Sequence, residues 1–222
     1  MNHLRRNALI QVIIGIVGMF ITLIVWKIIG AFISGKLTQE AFAILNSIAH
    51  VSLISVPLLI MLLGKDDLVD YGITRQHLGK QFKVGVSIAL CMTCVLVLFP
   101  MIIGLKSLVY GGESYHSVGN AIGGFIRFLL VVGLVEEFVF RGFLYGKLKE
   151  ICQSETAPIV ISSLVFGLFH FSGGNFIQVI MASAIGAVYC WCMENIPNCS
   201  LLSLIIAHGM HDWLIRVLAS IF

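Results

Sequence analysis

Seven apolar runs, broken by short polar joints, occupy the chain near residues 8–30, 41–63, 82–105, 121–146, 157–172, 175–193 and 200–221. A helix needs roughly 20 apolar residues to cross a hydrocarbon core about 30 Å thick. Most of the runs meet that length; the fifth is short and the first is long. In lipid every backbone N–H and C=O must be satisfied within the segment, which makes each run a helix. The runs are too long and too uniformly apolar for the alternating strands of a membrane barrel. The pattern predicts an all-α fold: a polytopic bundle of about seven transmembrane helices, forming a single integral membrane domain over residues 1–222.

Composition strengthens this reading. Hydrophobic residues make up 59% of the 222 positions and charged residues only 11%, against about 25% charged in soluble domains. So few charges cannot coat a water-exposed surface, and no run of sequence is left over for a soluble domain. The first run follows Arg5 and Arg6, as in a signal peptide, but it exceeds the usual length of that apolar region and lacks a small-residue cleavage pattern. It is expected to be a retained span.

The net charge of +3 reflects sidedness rather than a nucleic-acid partner. Arg5, Arg6, Lys65, Arg75, Lys80, Lys83, Lys147 and Lys149 all fall on one side if the N-terminus is cytoplasmic, leaving Lys36, Lys106 and a snorkelling Lys27 for the other. Segment 65–83 mixes charges with Leu68, Val69, Tyr71 and Ile73, which suits a connector on the membrane surface or a solvated loop. The six cysteines form no framework. The Cys91–Cys94 pair sits inside an apolar run, where small packing residues are the favoured reading.

Seven ionisable residues stand deep in three of the later runs: Glu136, Glu137 and Arg141 in the fourth, His170 in the fifth, and His208, His211 and Asp212 in the seventh. Each costs about 2.5–3.5 kcal/mol at the centre of a span on insertion scales, and such residues face the protein interior, pair, and mark function. Helical spacing pairs Glu137 with Arg141, and His208 with Asp212, at i and i+4. Glu136, about 100° round the helix from Glu137, is left for chemistry. Phe166 lies on the face of His170, and His211, about 60° off the His208 face, is expected to pack behind it. Counting from the run ends at 1.5 Å per residue places Glu136, His170 and Asp212 roughly 16–18 Å deep and His208 roughly 12 Å deep. Their agreement predicts one buried cavity built by residues 121–220. Small residues prepare close helix packing nearby: Gly142 and Gly146, and Ala182 to Ala187 with Ser183 and Gly186. Gly173-Gly174 signals a turn after the fifth run.

A glutamate beside histidine in a poorly solvated cavity can deprotonate water, and a second histidine can stabilise an oxyanion. That is hydrolysis of a peptide bond. Glu136, His170, His208 and Asp212 are equally plausible zinc ligands for a metal-activated water, and no HExxH is present. Serine chemistry lacks a GxSxG elbow.

Three motifs carry a resemblance: Glu136-Glu137 with Arg141 as EExxxR, Phe166 with His170 as FxxxH, and His208 with Asp212 as HxxxN/D. In this order and spacing they resemble the CAAX-protease and bacteriocin-processing family of intramembrane peptidases, also called Abi proteins. The resemblance implies that Glu136 and His170 activate the water and that His208 and residue 212 help to stabilise the oxyanion, with Glu137 and Arg141 in support. Many members carry Asn at the last position. An ionised Asp cannot donate to an oxyanion, so Asp212 must be protonated, orient His208, or bind a metal. Both zinc and metal-free mechanisms are attributed to relatives, and the metal-free route is preferred here. The implied partners are a peptide or protein substrate at the membrane and the bilayer itself, in a bacterial cytoplasmic membrane; bacterial members are linked to peptide maturation and bacteriocin self-immunity. The alternatives are a non-enzymatic immunity or scaffold protein acting on a partner such as a sensor kinase, and a proton pathway.

Overall fold

The structure, a computed structural model, describes residues 3–105, 115–171 and 175–221. The Gly173-Gly174 turn and Lys106 lie outside these residues. Every regular element among them is helical. The helices are α1 (His3–Ile33), α2 (Gln39–Ser52), α3 (Ser55–Gly64), α4 (Leu78–Ile102), α5 (Val118–Ile151), α6 (Thr156–His170), α7 (Phe176–Asn195) and α8 (Leu201–Ile221). Six segments are long and apolar enough to span a membrane, α2 and α3 counting as one, and α6 is a shorter apolar helix. The seven predicted runs correspond to these segments. Ile10, Ile13, Ile14, Val17, Ile21 and Ile24 of α1 are exposed, which is the surface a lipid solvent requires. The protein is an integral membrane helix bundle.

Local sequence explains where the helices start and break. Thr38 caps α2 by accepting the Ala41 N–H at 3.2 Å, and Glu40 adds negative charge to the first turn near the positive helix end. The break between α2 and α3 falls at Leu53 and Ile54, four and three residues before Pro57. Proline has no N–H to return to residue 53, and its ring clashes with that carbonyl. In α4 the backbone widens into a π-helical stretch at Cys94–Leu98, just before Pro100. Cys91 and Cys94, expected to be packed, are instead exposed; their small side chains face outward from a span whose buried positions are Gln81, Gly85, Ile88, Ala89, Met92 and Thr93.

The chain forms two compact units. The first comprises Met1–Ile73 and Phe138–Asn195, the second Thr74–Glu137 and Ile196–Phe222.

In the first unit, α6 packs along α7 with small residues at the contact. A Cβ on Gly186 would stand 3.2 Å from the Ser163 Cα. The connector after α3 is a short 3-10 turn, Leu68–Tyr71, with an Asp67/Asp70 capping box. Leu68 and Val69 are exposed while Tyr71 is buried, so the connector is amphipathic. Tyr71 stacks on Phe138 with ring centroids 5.5 Å apart and donates its hydroxyl to Asp66 at 3.0 Å. Burial, followed by the hydrogen bond to Asp66, pushes the Tyr71 pKa up, so the hydroxyl stays a donor. Asp66 also pairs with Lys147 at 3.0 Å, and Lys147 reaches Glu150 at 3.1 Å.

In the second unit, α4 and α8 lie side by side and run in the same direction. Gln81 receives the Ser200 hydroxyl on its side-chain oxygen at 2.5 Å and the Ser203 hydroxyl on its backbone carbonyl at 2.9 Å. Ser200 and Ser203 also cap α8 reciprocally. Glycines let the backbones approach. A Cβ on Gly85 would lie 2.6 Å from the Ser203 carbonyl oxygen, and one on Gly209 would lie 2.6 Å from the Leu129 Cα.

Candidate active site

The second unit gathers four of the predicted residues: Glu136, Glu137, His208 and Asp212. The two glutamates occupy Leu134–Glu137, a single α-helical turn of α5 between π-helical stretches at Phe128–Gly133 and Phe138–Tyr145. Such widened turns concentrate at functional sites, because the extra residue re-aims neighbouring side chains. Close packing then brings α8 against this turn. A Cβ on Gly133 would meet the Ile205 carbonyl at 2.8 Å, so the absence of a side chain there permits the approach.

His208 is the hub. Its Nδ1 lies 2.6 Å from Glu137 Oε1, while its Nε2 lies 3.5 Å from Asp212 Oδ2 and 3.8 Å from Glu136 Oε2. Glu136, Glu137 and His208 are all buried, Glu137 completely. An ionised carboxylate only accepts, so Nδ1–H donates to Glu137, while Nε2 faces the other two acids at longer range. Charge on the imidazole and on the acids is partly offset by this grouping, which a low-dielectric interior favours.

The structure adds one relation to the helical arithmetic. Spacing alone pairs Glu137 with Arg141 and leaves Glu136 for chemistry. In the structure Glu137 is also the close acceptor for His208. The i, i+4 relation of His208 and Asp212 holds, since α8 is regular.

His211, expected to pack behind His208, is buried, and its Nδ1 lies 3.0 Å from the Thr93 hydroxyl. Thr93 was not legible as a site residue. Threonine is unremarkable in an apolar span, and only its neighbour 118 positions away gives it meaning.

Arg141 and His170 belong to the first unit. Arg141 is 1% exposed. Its guanidinium stands 4.2 Å over the Phe166 ring and 5.3 Å from that of Tyr189, a cation–π seat for a desolvated charge. His170 packs its ring edge-on to Phe166, with centroids 4.6 Å apart, as their shared face predicts. Its Nδ1 lies 2.9 Å from the Phe166 carbonyl oxygen. A carbonyl only accepts, so Nδ1 is the donor of this bond.

The proposed zinc set can be tested against these positions. Among the described residues no three His, Cys, Asp or Glu side chains are arranged to hold an ion. A histidine whose Nδ1–H is held by a carboxylate, as His208 is by Glu137, is a fit ligand through Nε2, but Glu136, His208 and Asp212 are not placed around one ion as they stand.

No curated protein and no solved structure matches the chain. Residues 118–214 match a family model described as type II CAAX prenyl endopeptidase Rce1-like. The matched segment begins with α5 and ends just past Asp212, so it holds all three motifs. Over that segment the chain is similar to the Rce1-like family of CAAX-type membrane proteases.

Proposed function

We propose that this protein is an intramembrane endopeptidase that hydrolyses a peptide bond of a membrane-associated peptide or protein with a Glu/His-activated water, Glu136 being the base. The observation that carries the reading is the buried cluster around His208. Three acids and an imidazole, two of the acids and the imidazole wholly within apolar spans, cost too much to be kept for packing alone. The Rce1-like match supports a protease.

Glu136 takes a proton from water, and the resulting hydroxide adds to the scissile carbonyl carbon. The family resemblance gives His170 a share in water activation as well. The carbonyl oxygen becomes an oxyanion, and the Nε2–H of His208 is the donor that stabilises it. Glu136 then returns its proton to the departing amine. Glu137 holds the other edge of His208, so that Nε2 is aimed before substrate arrives. Asp212 orients His208 electrostatically from the same face of its helix rather than donating to the oxyanion, which accounts for Asp where many relatives carry Asn. The chemistry proposed is metal-free. The substrate is a bacterial membrane peptide, in maturation or in bacteriocin self-immunity, and the N-terminus faces the cytoplasm.

Purified protein in lipid nanodiscs, offered candidate membrane peptides and read by mass spectrometry, tests this. Wild type should cut, Glu136→Gln should not, and a chelator should leave the rate unchanged. If both proteins are inert and both still confer the same cellular phenotype, catalysis is abandoned for a scaffold or immunity role.

A further inference from the structure

We propose that Thr93 is a positioning residue for the reaction: its contact with His211 fixes the rotation of α8 and thereby aims His208 at its acids. The inference rests on the peptidase reading for its functional meaning, and on the geometry of the second unit for its substance.

Helix α8 is fastened to α4 at two heights. At one end Gln81 receives Ser200 and Ser203. Twelve residues along α4, and eight to eleven along α8, Thr93 meets His211 at 3.0 Å. The anchors are roughly 18 Å apart at 1.5 Å per residue. Between them the surfaces are smooth, with Gly85 against Ser203 and Ile206. A smooth contact resists separation but resists rotation poorly. The serine anchor sits at the first turn of α8, so the azimuth near His208 depends on the anchors beyond it: Thr93 on His211, three residues away, and the Trp213 indole N–H on the Ala121 carbonyl at 2.9 Å, five residues away.

His211 is three residues past His208, about 60° round the helix. Holding His211 therefore sets the direction of His208. A rotation of 20° moves a side-chain tip on a helix of about 5–6 Å radius by roughly 2 Å. That would break the 2.6 Å bond between His208 and Glu137. Misplacements of about 1 Å can cost two orders of magnitude in rate. Thr93 and His211 are both buried, so water cannot replace the lost partner.

The test uses the full chain in nanodiscs with three variants. Thr93→Val removes the hydroxyl at constant shape, Thr93→Ser keeps it, and His211→Phe removes the bond from the other side. Folding is checked by thermal unfolding, and a variant that fails to fold leaves the other to decide. The first readout is the low-field Nδ1–H resonance of His208 in histidine-labelled protein, assigned by its loss in His208→Asn. It should shift or vanish in Thr93→Val and return in Thr93→Ser; an unmoved resonance overturns the proposal whatever the activity. The second readout is proteolysis, where Thr93→Val should lower kcat about tenfold to a hundredfold with KM unchanged and Thr93→Ser should restore it. Full activity in Thr93→Val also overturns the proposal. A wild type inert on every peptide sinks the peptidase reading alone, and the resonance still decides the positioning.

Discussion

His208 Nδ1 and Glu137 Oε1 stand 2.6 Å apart in the interior of an apolar bundle, 71 positions apart in the chain. A bond of this length between an imidazole and a carboxylate is charge-assisted and at the strong end of side-chain hydrogen bonds. It identifies Glu137, not only Glu136, as a residue on which the site depends.

Glu137→Gln keeps the shape of the side chain and removes its charge. Hydrogen bonds to charged groups contribute about 1.5–3 kcal/mol, so kcat should fall roughly 10- to 150-fold. KM should stay near the wild-type value, because the bond orients a catalytic group and does not hold substrate. Steady-state kinetics on any cleaved peptide checks this, and a change confined to KM would count against it.

Glu136→Gln should lose about 100- to 10,000-fold in rate, the range for removing a general base. Its unfolding temperature should remain close to that of wild type, since Glu136 approaches His208 only at 3.8 Å. A comparable loss in Glu137→Gln and little loss in Glu136→Gln would reverse the two roles.

Gly209→Ala adds one carbon where the Leu129 Cα would be 2.6 Å away. Backbone cannot yield as a side-chain tip can, so overpacking of about 1–3 kcal/mol is expected. Thermal unfolding in detergent should drop by several degrees. Gly146→Ala is the contrast. Its Cβ would meet the Asp70 carbonyl at an ordinary 3.5 Å, and stability should change little.

Lys147 is nearly buried between Asp66 and Glu150. Lys147→Met leaves Asp66 with one fewer partner in a partly screened site and should destabilise by about 1–3 kcal/mol. Adding Asp66→Asn should recover part of that loss, because the remaining charge is removed. A purely additive pair in denaturant unfolding would show that the two do not interact.

Arg141→Lys should behave as a non-conservative change. The planar guanidinium over Phe166 exploits a stacking geometry that an ammonium cannot reproduce. Loss of about 1 kcal/mol or more is expected, measurable in the same unfolding assay.

The sequence by itself determined the solvent, the helices and the candidate chemistry. With 11% charged residues the chain has no alternative to lipid, and lipid allows the backbone of these runs no alternative to helix. The cost of charge at depth picks out Glu136, Glu137, Arg141, His170, His208 and Asp212 before any coordinate is known. Regular periodicity also places Phe166 beside His170 and His208 beside Asp212, because both lie within regular α-helix. Only the tertiary structure decided which acid stands closest to His208. The bond of Glu137 to His208 spans two helices, so no periodicity within one run reveals it. The pairing of Thr93 with His211 has the same origin. A threonine in an apolar span carries no local signal, and it acquires a role only when glycine-lined packing sets another helix against it.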